Sequence, residues 1–228
     1  MPDPKPPYAV LTGDLVASGR LSAEELRAVR KLLVEGIREA KDWERGWLGG
    51  DPEFFQGDAW QLLLRQPAYA LRLSVFLQTV LRTQGPARTR ISIGIGLVEN
   101  LSGQGLGSST GEAFTLSGRG LELLKNRRCL ALQFPGRVGP LAQWAPLAAD
   151  FCDALVGDVT RRQAEVLRHA LHPDGLTHDQ IRSRLDREVS RQTVTKSLQK
   201  LHWAVLRKTL ENFESTSWAD LLQAGETP

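Results

Sequence analysis

Glu53-Phe54-Phe55-Gln56-Gly57-Asp58-Ala59-Trp60-Gln61-Leu62-Leu63-Leu64 holds two short apolar runs that meet at Gly57-Asp58. A Gly-Asp pair flanked by aromatic and aliphatic residues is a hairpin signal, because glycine supplies the backbone conformation a tight turn requires. Upstream, Tyr8-Ala9-Val10-Leu11 is a strand-type run that ends at Thr12-Gly13-Asp14, and Ser22 with Glu25 forms a capping box. Leu26, Val29, Leu33 and Ile37 then follow helical spacing, which predicts a helix from Ala23 to Trp43, with a loop over Gly46 to Gly50. Downstream, Pro67 opens a second helix through Leu71, Val75, Leu77 and Leu81, and Thr89 to Val98 reads as a third strand. A Gly/Ser-rich loop (Gly103 to Gly111), a helix from Glu112 to Asn126 and a strand at Leu130-Ala131-Leu132-Gln133-Phe134 complete the unit. The order β-α-β-β-α-β-α-β is that of a ferredoxin-like α/β (α+β) core with one extra helix and strand.

Residues 136–159 carry Gly and Pro clusters and a short helix near Ala148 to Val156, which reads as a connector between the α/β domain of residues 1–135 and an all-α domain of residues 160–228. Thr160 with Gln163 and Thr177 with Gln180 are further capping boxes. The first opens a helix that ends before Pro173-Asp174-Gly175, and the second opens a short helix buried through Ile181 and Leu185. Asp186 to Val189 is a turn, and Ser190 caps a third helix that carries Val194, Leu198 and Leu201 inward, with Trp203 packing its end. A short helix, a tight turn and a helix with polar residues at its start form a helix-turn-helix layout. The outer face of the last helix offers Arg191, Gln192 and Thr195, then Lys196, Gln199 and Lys200, with no acid among them. Arg and Gln suit base edges, Lys and Ser/Thr suit phosphates, and a phosphate can also sit at the helix N-terminus beside Ser190. DNA is the partner these residues point to; the alternative is a three-helix packing module with a solvated basic face.

Charge supports that placement. The chain's formal net charge is only +3, yet residues 160–213 contain eleven Lys/Arg against six acids. The longest apolar runs are too short to cross a bilayer, and the start Met1-Pro2-Asp3-Pro4-Lys5-Pro6-Pro7 lacks the apolar core of a signal peptide, so the expectation is a cytoplasmic protein with no membrane partner. Cys129 and Cys152, with four histidines at no zinc spacing, read as reduced, metal-free thiols, Cys129 in the core.

Asp14 after the first strand and Asp58 in the neighbouring hairpin would form a hard oxygen site suited to Mg²⁺ or Mn²⁺ and a nucleoside triphosphate, with Gly13 and Gly57 beside them. From Tyr8 to Asn126 this skeleton resembles the class III nucleotidyl cyclases. The resemblance implies that Asp14 and Asp58 are metal ligands, that Arg119 is the catalytic transition-state arginine, that Thr115 stands where the family has a ligand-contacting asparagine, and that a homodimer completes the site. It also departs from the family, since Phe54 replaces the base-selecting lysine. Over nearly the whole chain the sequence resembles the SatD family of bacterial proteins, through Thr12-Gly13-Asp14-Leu15-Val16-Ala17-Ser18, Gly57-Asp58-Ala59-Trp60-Gln61, Ile93-Gly94-Ile95-Gly96, Gly111-Glu112-Ala113-Phe114 and Arg119. There Ala59 stands in place of an acid. The loop Gly103-Gln104-Gly105-Leu106-Gly107-Ser108-Ser109 could cradle phosphate through its backbone, but it lacks the lysine of a P-loop. The resulting expectation is a transcription regulator in which a metal-nucleotide ligand acts on a DNA-binding module. The alternatives are an active cyclase or nucleotidyltransferase with an accessory helix-turn-helix, and an interaction protein with an inactive site.

Overall fold

Eight residues from Tyr8 to Leu15 form strand β1, whose side chains alternate between two very different surfaces. The computed structural model describes residues 6–44, 46–55, 57–84, 87–124 and 128–224. β1 lies at the centre of a five-stranded sheet ordered β2-β3-β1-β4-β7, with β2 at Glu53–Phe54, β3 at Trp60–Leu64, β4 at Thr89–Gly96 and β7 at Leu130–Gln133. β3 and β4 flank β1 antiparallel, and β7 pairs parallel with β4. Helices α1 (Ala23–Lys41) and α2 (Ala70–Gln84) make the first two crossovers and the helix before β7 makes the third, in the order expected. The Gly57-Asp58 hairpin is present, pairing Phe54 with Trp60.

One face of the sheet (Ala9, Leu11, Leu15, Leu62, Ile91, Ile93, Leu132) is apolar and joins the core made with α1 and α2. The opposite face is built from Thr12, Gln61, Ser92, Gly94 and Gly96 and is covered by α3 (Glu112–Leu123). Val10 and Leu63 of this face pack with Ala113 and Phe114, but at Gly94, under the middle of α3, there is no room for a side chain. A Cβ on Gly94 would stand 2.3 Å from the carbonyl oxygen of Ala113 and 2.4 Å from the amide nitrogen of Ser117. Only Ala113, Ser117 and Gly120 of α3 are buried, followed by Leu124 after its end. Of the expected apolar face of this helix (Phe114, Leu116, Leu123, Leu124), Leu124 is buried and Phe114 packs against Val10, Leu63, Val98 and Ala113, whereas Leu123 is 65 % exposed. The expected continuation of α3 to Asn126 lies outside the described residues, as does the segment Met1 to Lys5.

Two stretches differ from their sequence reading. The third strand breaks after Gly96, and Val98–Asn100 becomes β5, paired with β6 (Thr110–Gly111) at the end of the Gly-rich loop. The connector helix α4 spans Leu141–Gly157 and absorbs Pro146. An interior proline removes one helical hydrogen bond at a cost of about 3 kcal/mol, offset here by packing of Leu141, Ala142 and Ala145 against the core.

The C-terminal region follows its capping signals: α5 (Arg161–Ala170), α6 (His178–Ser183) and α7 (Arg191–Lys200). Both threonine capping boxes form, and the Ser190 hydroxyl accepts from the Thr193 amide at 3.1 Å. Two further helices, α8 (Trp203–Glu214) and α9 (Trp218–Ala224), return to the sheet unit and bury Leu206, Leu210, Phe213 and Leu222 in the same apolar cluster as β1. The core therefore runs without interruption from residue 9 to residue 222. α2 lies at its centre and is buried along nearly its whole length, including Arg72, Ser74, Gln78 and Thr79. No helix among the described residues is long and apolar enough to cross a membrane.

Candidate functional site

Asp14 does not follow β1 but lies inside it, because pairing with β4 continues to Leu15 and Thr89. It faces the α3 side of the sheet, directly opposite Arg90 of β4. The guanidinium takes both carboxylate oxygens: Nε donates to Oδ1 at 2.8 Å and Nη2 to Oδ2. The remaining nitrogen, Nη1, donates to the Leu124 carbonyl at 2.9 Å. A fork-on-carboxylate pair of this kind is strong and directional, so Arg90 clamps the end of α3 to the central strand. The hydrogen bonds to Asp14 hold the guanidinium pKa above its ordinary value, and Asp58 is near enough to add to the same field. The cation that Asp14 faces is thus an arginine, and Asp58 acts on it only through that weaker field. The sequence reading missed Arg90. Its signal was an isolated charge ahead of the apolar run Ile91 to Ile95, but only register places it against Asp14.

Gly13 serves packing. A Cβ there would meet the Trp60 ring at 2.4 Å, so the glycine leaves room for a fully buried indole, whose Nε1 donates to Thr89 at 3.2 Å. Gly57 sits in the β2–β3 turn at φ +77°, and its carbonyl accepts from Arg30 of α1. Asp58 follows it, half-buried, at the hairpin edge of the sheet.

Arg119 and Thr115 lie elsewhere. Both are exposed on α3 and border an open cleft of about 620 Å³, with Glu99, Glu112 and the Phe134-Pro135-Gly136 segment that follows edge strand β7. The Thr115 hydroxyl donates to the Gly111 carbonyl at 3.3 Å, and Arg119 makes no hydrogen bond or ion pair among the described residues. β7 and the β2–β3 hairpin are opposite edges of the sheet, so one chain does not gather Asp58 and Arg119 into one pocket. The Gly-rich loop is also engaged: the Gly107 amide donates to the Glu53 carboxylate at 3.0 Å, and Phe55 packs against Gly107.

Among the described residues no group of three or more His, Cys, Asp or Glu side chains is placed to hold a metal ion. Asp14 and Asp58 have the oxygen chemistry a divalent cation prefers, but both oxygens of Asp14 are committed to Arg90. In this pairing the donor set does not fit an ion. Cys129 and Cys152 are free and buried, and burial raises the pKa of both, Cys152 to about 12.

In the C-terminal helices, α7 buries Val194 and Leu198 against Val166, Ala170, Ile181 and Val189, a small apolar cluster of its own. Its outer face exposes Arg191, Gln192, Lys196, Gln199 and Lys200. Thr195 is half-buried and engaged, donating to the Arg191 carbonyl at 3.1 Å and lying 2.9 Å from Nδ1 of His178. Arg191 stands 3.8 Å from Asp179 of α6 with both side chains largely exposed, a loose pair worth about 0–1 kcal/mol.

No family model matches this sequence, and no curated protein is similar to it. Among solved structures, the crystal structure of the guanylyl cyclase Cya2 is similar at 21% sequence identity and a TM-score of 0.41, over 56% of this chain and 74% of that one.

Proposed function

We propose that this chain is a DNA-binding regulator that reads duplex DNA through the outer face of α7, and that its cyclase-like sheet unit binds a metal–nucleotide ligand. The observation that carries the DNA reading is the face of α7. Arg191, Gln192, Lys196, Gln199 and Lys200 are exposed together with no acid on α7 itself, Asp179 of α6 being the nearby carboxylate, while the other face of the helix is fixed by Val194 and Leu198. A rigid helix with a capped, exposed N-terminus and donors directed outward suits a major groove, with Lys on phosphates and Arg or Gln on base edges. Thr195, bonded within the module, acts by orienting His178 and α7 rather than by touching bases.

For the sheet unit, the reading rests on the oxygen chemistry of Asp14 in β1 and Asp58 in the turn before its neighbour β3, and it requires Asp14 to give up its Arg90 partner. A divalent cation gains those carboxylates only when Arg90 leaves Asp14. A nucleotide's phosphates offer the released guanidinium a partner of equal quality.

A second reading, an active nucleotidyl cyclase or nucleotidyltransferase, is favoured by Arg119, exposed and without a partner among the described residues. Because Arg119 and Asp58 lie towards opposite edges of one sheet, that reading requires a homodimer in which each site takes residues from both copies.

One set of titrations tests these readings. Mobility shift of duplex DNA is measured with and without Mg²⁺–ATP, for the native chain and for Arg191→Ala/Lys196→Ala and Asp58→Asn. The α7 double variant is expected to lose at least about tenfold in DNA affinity and to show a shallower salt dependence, as two fewer phosphates are neutralised. Asp58→Asn is expected to keep basal DNA binding and lose its response to the nucleotide. Unchanged DNA affinity in the α7 variant overturns the DNA reading, and cyclic nucleotide formation that Arg119→Ala abolishes would replace the sensor with the enzyme.

A further inference from the structure

Between the sheet unit and the C-terminal helices lies a cleft of about 350 Å³ that neither reading above uses. Its walls are the end of α2 (Thr83, Gln84), one face of α5 from Arg161 to His169, and the stretch between α6 and α7. Four guanidiniums line it, those of Arg161, Arg168, Arg184 and Arg187, against two carboxylates, Glu165 and Asp186. The pairing is unequal. Glu165 is shared by Arg187 at 3.2 Å and Arg161 at 3.6 Å, Arg168 reaches out of the cleft to Glu39 of α1, and Arg184 has no ion pair among the described residues. Arg161 is 71% exposed and only loosely held. The cleft also contains a titratable probe. Burial pushes the His169 imidazole below its ordinary pKa, the Arg168 and Arg184 guanidiniums push it the same way, and Glu39 opposes them.

We propose that this cleft binds a small phosphorylated anion, with Arg161 and Arg184 as its principal partners and Arg187 turning to it from Glu165. Guanidinium forks match phosphate oxygens two at a time, and a concave site of this size takes a ligand from pyrophosphate to a nucleotide. Surplus positive charge in a walled cleft favours an anion more than the same arginines on an open surface would, because low-dielectric walls focus the field. The ligand would bridge α2 of the sheet unit to the stretch that positions α7. A phosphate could also come from the DNA backbone, which the α6–α7 stretch lies close to when α7 is in a groove, so the test separates the two sources.

The experiment is calorimetry of the full chain with inorganic pyrophosphate in magnesium-free buffer, alongside duplex DNA mobility shift. The expected result is saturable binding of one pyrophosphate, weakened about tenfold or more by Arg161→Gln/Arg184→Gln, and unchanged by Asp58→Asn or by Arg191→Ala/Lys196→Ala. Arg184→Gln alone, at an exposed position, should give a smaller loss with an unaltered melting temperature, which separates lost binding from lost folding. Titration of the His169 resonance should move to higher pH on saturation, as the anion offsets the neighbouring arginines. The proposal is overturned if pyrophosphate shows no saturable binding, if Asp58→Asn abolishes it while the arginine variants do not, or if the arginine variants weaken duplex DNA alone. Failure of DNA binding in the α7 variant bears on the preceding reading and leaves this one standing.

Discussion

Arg90 and Asp153 show how single residues in this chain acquire their roles from what faces them. Arg90 neutralises Asp14 and pins Leu124 through three separate donors, so one member of what looked like a bare carboxylate pair is already charge-balanced. Asp153, 8 % exposed on α4, accepts from the Cys129 amide at 2.7 Å and so holds the start of β7. Burial raises its pKa above the ordinary carboxylate value, with the backbone hydrogen bonds and the nearby Arg88 opposing. In the window between the unfolded pKa of about 3.9 and the raised folded value, the native chain holds a proton that the unfolded chain has released. Stability contributed by this group is therefore present at the acid end and is lost as pH rises through the folded pKa. Asp153→Asn retains a carbonyl acceptor and carries no charge. Its urea midpoint is expected to equal or exceed that of the native chain at neutral pH, with the Asp153 contribution to the pH slope gone. A variant markedly less stable at pH 7 would show that the charge itself is needed.

At the scale of elements, the close approach of α3 to β4 explains why the glycines of the Ile93-Gly94-Ile95-Gly96 run stand where they do. At Gly94 the atoms that a Cβ would strike belong to the backbone of α3, so no side-chain rotation relieves the clash. Gly94→Ala is expected to lift α3 from the sheet at a cost of about 1–3 kcal/mol, read as a lower denaturation midpoint. Because α3 carries Arg119 and Thr115 on its outer side and Leu124 at its end, the same variant should also alter any nucleotide binding. Full stability in Gly94→Ala would mean that the helix has slack the structure does not show. The first helix, the hairpin and the three capped helices of the C-terminal region were legible in the sequence, because capping boxes, Gly-Asp turns and apolar spacing act over three or four residues. β5, β6, α8 and α9 were not read. The first two are held by pairing across the Gly-rich loop, and the last two are ordered by burial against a distant surface.

On the scale of the whole molecule, α2 is the axis on which the two ends of the chain meet. Arg72, 3 % exposed, donates to both carboxylate oxygens of Glu214 on α8 and, at 3.2 Å, to the carbonyl of Leu171 after α5. Removing one member of such a pair strands a buried charge, which costs about 3–5 kcal/mol. Glu214→Ala is expected to lower stability by that order. Because the apolar cluster is continuous from β1 to α9, near-ultraviolet and far-ultraviolet signals should fall together in one transition. Two separated transitions, with only the second affected by Glu214→Ala, would show that the C-terminal helices unfold on their own.

By itself the sequence determined the strand and helix order of the sheet unit, the capped helices of the C-terminal region, and the concentration of basic residues there. Each is written in neighbours a few positions apart, where periodicity and hydrogen-bonding side chains act locally. Only the tertiary structure decided what Asp14 faces, which surfaces of α3 are buried, why a helix carrying Arg72, Gln78 and Thr79 lies wholly inside, and that Asp58 and Arg119 point to different edges. Those outcomes depend on strand register and on partners as much as 142 positions apart. A carboxylate in a strand reads the same whether water, a metal or an arginine stands opposite, until the neighbouring strand is aligned beside it.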